Sequence, residues 1–80
     1  MAFVQVRLFA VARAKAGTGN IDCPAGSLAS IIQRLQTHGE LESVLPQCSY
    51  LVDGVACADL EMQIGEGSVI DVLPRFAGGA

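Results

Sequence analysis

Eighty residues, about half of them hydrophobic and none of them Trp, make one small aliphatic domain with a modest core and exclude a disordered chain. The net charge is −3, with only five Lys and Arg and no basic cluster. That excludes nucleic acid and an anionic membrane as natural partners and leaves a surface that a basic partner protein would accept.

The cysteines are Cys23, Cys48 and Cys57, an odd number without a Cys-x-x-Cys pair. Secreted disulfide frameworks are even and dense, so these read as reduced thiols in a cytoplasm. His38 is the only histidine, and no spacing fits a zinc site, so no metal is expected. A Cys/His nucleophilic pair can be drawn on paper; small apolar fillers beside a surface histidine are the plainer reading. No apolar run is long enough to span a membrane. No basic stretch precedes a hydrophobic segment at the start, so a signal peptide is not expected.

In chain order, Phe3 to Phe9 alternates, with Val4, Val6 and Leu8 on one face and Gln5 and Arg7 on the other. This predicts a strand with one buried side. Ala10 to Ala16 is alanine-rich and predicts a short helix, broken by Gly17 and Gly19. Asn20 to Cys23 returns as a second strand, and Pro24-Ala25-Gly26 is a turn. Ser27 is an N-cap for the main helix, predicted from Leu28 to about His38, with Gly39 as its C′ residue. Leu28, Ile31, Ile32 and Leu35 form its apolar stripe. Glu40 to Gln47 is a connection, with room for a helical turn and closed by Pro46. Ser49 to Val52 is a strand, Asp53-Gly54 a hairpin turn, and Val55 to Cys57 its return. Ala58 to Ile64 is an irregular crossing, and Gly65-Glu66-Gly67 turns into a last strand, Ser68 to Leu73. Asp53, Glu61 and Glu66 read as surface charges. One helical stripe against one sheet face predicts a two-layer α+β roll.

Pro74 has no N–H to donate and is expected to stop the last ladder. Beyond it, Arg75-Phe76-Ala77-Gly78-Gly79-Ala80 has neither helical nor strand character. Two glycines without Cβ atoms let another protein close tightly around the backbone. A frayed terminus is the bland alternative for Gly-Gly alone.

Taken together, these pieces resemble the ubiquitin-like β-grasp proteins of the MoaD/ThiS sulfur-carrier family. The resemblance runs through Val4-x-Val6-Arg7-Leu8-Phe9-Ala10, Gly26-Ser27-Leu28, Leu51-Val52-Asp53-Gly54, Ile64-x-Glu66-Gly67, Ile70-x-Val72-Leu73-Pro74 and Phe76-Ala77-Gly78-Gly79. The length and the Leu-Pro approach are most similar to the molybdopterin synthase small subunit. Pro74-Arg75 stands where many of those proteins have two prolines, and Ala80 follows the second glycine where directly acting members end.

The resemblance implies a mixed four- to five-stranded sheet covered by one main helix. It implies a β-grasp domain over residues 1–74 and a flexible tail over 75–80. It implies that an E1-like enzyme uses ATP to adenylate the Gly79 carboxylate and that sulfur then displaces the adenylate to give a thiocarboxylate. No cofactor would be bound by the chain itself. A larger synthase subunit would receive the tail, with Arg75, Phe76, Ala77 and Gly78 as partner-binding residues and the exposed sheet face as further contact. Because Gly79 is locked in a peptide bond to Ala80, a peptidase is expected to remove Ala80 first; activation of Ala80 itself is the rival. Phe76 reads as an anchor in a partner pocket, with packing on its own sheet as the alternative. Arg75 reads equally as a groove contact or a solvated charge. Three other functions remain open: sulfur delivery for thiamine thiazole or cysteine synthesis, a protein modifier joined through Gly79, and a ubiquitin-like binding module without terminal chemistry.

Overall fold

The structure, a computed structural model, describes residues 2–75. The first strand, β1, is Phe3–Leu8, with Val4, Val6 and Leu8 buried and Phe3, Gln5 and Arg7 exposed as the alternation requires. Helix α1 is Ala10–Ala16, closed by Gly17 at φ +79°, a left-handed value that glycine adopts without strain. Strand β2, Asn20–Pro24, returns antiparallel to β1, with Val4 opposite Cys23.

The expected turn at Pro24–Gly26 is shorter. Pro24 ends β2, and Gly26–Ser27 form a two-residue strand, β3. Helix α2 follows at Leu28–Leu35. Ser27 caps it as expected: its Oγ accepts the Ser30 N–H at 3.1 Å. The helix ends three residues before His38. The Thr37 hydroxyl donates back to the Arg34 carbonyl at 2.7 Å, and the His38 N–H donates to Leu35, tightening the last turn. Gly39 is therefore not the C′ residue of α2. It has φ +53°, and a Cβ there would sit 2.6 Å from the Lys15 carbonyl oxygen, where the end of α1 passes. Glycine is needed for that close approach.

The connection carries more of the core than its sequence suggests. Two 3₁₀ turns, Leu41–Ser43 and Leu45–Gln47, bury Leu41, Val44 and Leu45. Strand β4 is Cys48–Val52, and β5 is Val55–Ala56. Between them Asp53 and Gly54 take φ +51° and +86°, the paired positive values of a tight hairpin turn. Asp53 is more than a surface charge, since its Oδ1 accepts the Val69 N–H at 2.9 Å. The crossing is also less irregular than expected. Gln63–Ile64 form β6, antiparallel to β3. The crossing's carbonyls at Leu60 and Met62 accept the N–H groups of Ala29 and Leu28, donors that a helix start leaves unpaired.

The last strand, β7, is Val69–Pro74. It lies in the middle of a mixed five-stranded sheet of order β2-β1-β7-β4-β5, parallel to β1 and antiparallel to β4. Pro74 does not stop the ladder. It pairs with Cys48, and the Arg75 N–H donates to the Gln47 carbonyl at 2.9 Å. Only alternate residues of an antiparallel strand donate to a given neighbour. Pro74 falls on a position turned away from β4, and its register with β1 ends at Val72. Its missing N–H therefore costs the sheet nothing.

The core lies between the sheet and α2. Leu28, Ile31 and Leu35 of the stripe are buried; Ile32 is only half-buried at the margin. The architecture is the two-layer α+β roll that the sequence predicts, enlarged by α1, two 3₁₀ turns and a small second sheet.

Candidate functional site at the end of the last strand

Because β7 is central, its end at Pro74 and Arg75 lies in the middle of the sheet. Of the partner-binding residues expected from sequence, Arg75 is described: it is exposed, and its backbone is held by Gln47. Phe76, Ala77, Gly78 and Gly79 lie outside the described residues, as does Ala80. The expected division into a 1–74 domain and a 75–80 tail therefore meets the described structure only at Arg75.

Beside Arg75 opens a cavity of about 450 Å³, lined by Leu28, Cys48, Tyr50, Cys57 and Leu60 among others. It forms where β5 covers only the second half of β4, at Leu51 and Val52, and the crossing then turns away. The Tyr50 hydroxyl donates to the Leu45 carbonyl at 3.4 Å. Burial, with a smaller contribution from Cys48, pushes the Tyr50 pKa up to about 12. Burial also pushes the Cys48 and Cys23 thiols up, which makes them less reactive.

The outer face of the sheet has polar and aromatic groups that the sequence reading did not single out. Arg7 and Asp71 are register partners on β1 and β7. Arg7 Nε donates to Asp71 Oδ1 at 2.6 Å, and Nη2 donates to Oδ2 at 3.0 Å. The Asp71 side chain is only 12% exposed and that of Arg7 is 50% exposed. The guanidinium also lies 5.9 Å from the centre of the Phe9 ring. Phe3 and Phe9 are exposed nearby, and Leu51 and Leu73 are partly so. The signal in the sequence was Asp71 itself, a lone charge inside the apolar run Val69–Leu73.

His38 is exposed beyond α2. Cys23 is buried in β2, and the three thiols are free. Among the described residues no three side chains of His, Cys, Asp and Glu are grouped to hold a metal ion. No helix among them is long and apolar enough to cross a membrane.

No protein-family model and no curated protein matches the chain. Solved structures do. The SAMP1 protein of Haloferax volcanii superposes with a TM-score of 0.84 at 20% identity, over 98% of this chain and 100% of that one. SAMP1 from Methanosarcina acetivorans, a small archaeal modifier protein, gives 0.84 at 24% identity, over 99% and 98%. A chain in the complex of subunits 1 and 2 of the Helicobacter pylori molybdopterin-converting factor gives 0.74 at 25% identity, over 90% and 92%. The fold is thus the ubiquitin-like β-grasp. The resemblance to MoaD/ThiS-type proteins read from the sequence fits these neighbours, which include both molybdopterin-converting factor and small archaeal modifiers.

Proposed function

We propose that this chain is a sulfur carrier acting through Gly79, as the small subunit of a molybdopterin synthase in the cytoplasm. The observation that carries the reading is the placement of β7. A central strand, paired with β1 as far as Val72 and with β4 as far as Pro74, and closed by the Arg75 N–H on the Gln47 carbonyl, leads directly into Phe76-Ala77-Gly78-Gly79 in the sequence. A base of this kind fixes the point at Arg75 from which the chain goes on, and a fixed starting point lowers the entropic cost of reaching an enclosed active site.

In this reading a peptidase first removes Ala80. An E1-like enzyme then joins the Gly79 carboxylate to the AMP portion of ATP, releasing pyrophosphate. A sulfur nucleophile attacks the acyl carbon and AMP leaves, so the carboxylate becomes a thiocarboxylate. Ala77, Gly78 and Gly79 keep the approach narrow. Phe76 and Arg75 grip the partner, and the outer sheet face around Arg7 and Phe9 docks on it. The catalytic side chains belong to the partners. The resemblance to a chain from a complex of two molybdopterin-converting factor subunits supports the larger synthase subunit as one partner.

The test compares full-length protein, a form ending at Gly79, and that form with Gly79→Ala, each with a cognate E1-like enzyme, ATP and a sulfur donor. Intact mass should show the replacement of oxygen by sulfur on the form ending at Gly79 only. The full-length chain should convert after incubation in cell extract. Thiocarboxylation of intact full-length protein would overturn the trimming step. No product on any form, with an enzyme and donor active on another carrier, would overturn the carrier reading. Phe76→Ala should weaken binding to the adenylating enzyme by about 1–3 kcal/mol, the size of an interface anchor; unchanged affinity would remove Phe76 from the interface.

A second reading has its own support. The two SAMP1 structures superpose better, at 0.84, than the molybdopterin-converting factor chain at 0.74. In it, Gly79 forms amide bonds with lysines of other proteins. Higher-mass conjugates that depend on Gly79 in cell lysate would favour it.

A further inference from the structure

The chain has five sulfur-bearing residues, three Cys and two Met. Two of them line the cavity beside Arg75, and a third lies against one of those two. Cys48 and Cys57 both line it. Cys57 Sγ lies 3.3 Å from Met62 Sδ, closer than to its other partner, the Asp59 carbonyl at 3.8 Å. The Cys57 N–H donates to the Tyr50 carbonyl at 2.9 Å, which fixes Cys57 opposite Tyr50 on the edge of β4. Cys48 precedes Tyr50 by two residues, so both thiols occupy the same face as diagonal neighbours. Diagonal neighbours stand roughly 7–8 Å apart at Cα, wider than a disulfide favours. Cys48 Sγ donates to the Val44 carbonyl at 3.4 Å, a bond it would give up to share a cation with Cys57 across that gap.

The surroundings decide which cation. No imidazole and no carboxylate lines the cavity, and Asp59, two residues after Cys57, is engaged by the Glu61 N–H at 3.0 Å. Leu28, Ala58 and Leu60 supply apolar walls. Thiolate and thioether ligands without nitrogen or oxygen select soft monovalent copper over zinc, calcium or magnesium. Two thiolates around one Cu(I) leave a single negative charge, and Arg75 on the same cavity carries the opposite charge.

We propose that Cys48, Cys57 and Met62 form a sulfur-only binding site for Cu(I) at the base of the C-terminal segment. Cu(I) displaces both thiol protons to solvent and forms two copper–thiolate bonds, with the Met62 thioether as third donor. No electron is transferred. The site does not depend on the sulfur-carrier reading.

Full-length protein would be titrated anaerobically against the coloured Cu(I)–bicinchoninate complex, with ascorbate as reductant. Wild type should withdraw about one Cu(I) per chain, as one sulfur-lined site requires. Cys48→Ser and Cys57→Ser should each weaken uptake by at least about tenfold, because each removes a thiolate ligand. Met62→Leu should weaken it less, and Cys23→Ser should leave it unchanged. On wild type, bound Cu(I) should also slow iodoacetamide alkylation of Cys48 and Cys57, a readout that needs no variant. Uptake retained by the Cys48→Ser/Cys57→Ser double variant, loss that follows Cys23, or unprotected thiols at full copper loading would overturn the site.

Discussion

Along β7 the inner face presents Ile70, Val72 and Pro74 to the core, while the outer face presents Val69, Asp71 and Leu73. Ile70 and Val72 have no exposed surface and lie in one cluster with the buried residues of α2 and the 3₁₀ turns. On the outer face a nearly buried carboxylate is held by a half-exposed arginine, with exposed aromatic rings beside it. Stability comes from the inner face, where apolar area leaves water. An ion pair with one partner in solvent adds little, and burying Asp71 carries a desolvation cost. The difference separates two tasks on one strand: the inner face holds the fold, and the outer face is free to be read by a partner.

The largest effect that would break this comparison is on the inner face. Leu28 is completely buried, so Leu28→Ala should destabilise the domain by about 2–5 kcal/mol, measured by denaturant unfolding. A near-wild-type midpoint would mean that the core does not rest on this stripe. Ile32→Ala should cost less, about 1 kcal/mol, because Ile32 already meets solvent at the edge of the same stripe. Equal costs for the two would show that the helix sits rotated on the sheet.

On the outer face the expected order reverses. Arg7→Gln should leave the unfolding midpoint nearly unchanged while weakening the complex with the E1-like enzyme, measured by calorimetry. A large stability loss with unchanged affinity would assign the ion pair to the fold instead.

The smallest effect is silent at neutral pH. Tyr50 is the only tyrosine and Trp is absent, so tyrosinate absorbance reports one group. Its midpoint should lie at about 12 in the folded protein and fall toward 10 on unfolding. The folded pKa is raised, so the folded state keeps the proton more tightly. The stability linked to Tyr50 is therefore fully present below about pH 10 and is lost as the pH climbs through about 12. A folded midpoint near 10 would place the ring in water.

Much of this fold was legible in the sequence, because β1, α1, β2 and the start of α2 each carry a local signal. Val4, Val6 and Leu8 alternate, Gly17 stops an alanine run, and Ser27 caps its helix. What was missed lacks local periodicity. A three-residue 3₁₀ turn is too short to show a repeat, so Leu41, Val44 and Leu45 read as a connection although they complete the core. β3 and β6 are two residues each and exist only because they meet each other. The sequence places Gly39 at the end of the helix beside it, while its constraint comes from Lys15 across the fold. The missing N–H of Pro74 predicts a stop, but the register turns that position away from β4. At the functional end, the slim tail is legible from Pro74 and the two glycines, and its chemistry only from the resemblance. The Arg7–Asp71 pair and the sulfur-lined cavity required knowing which strands are neighbours.

The central position of β7 also has a mechanical meaning. A machine that grips the residues after Arg75 and pulls does not peel an edge strand one bond at a time. It drags β7 lengthwise past β1 on one side and β4 on the other, so the bonds of both ladders share the load together. A pull applied at Arg75 then meets the resistance of both ladders at once, and the body of the domain resists tearing.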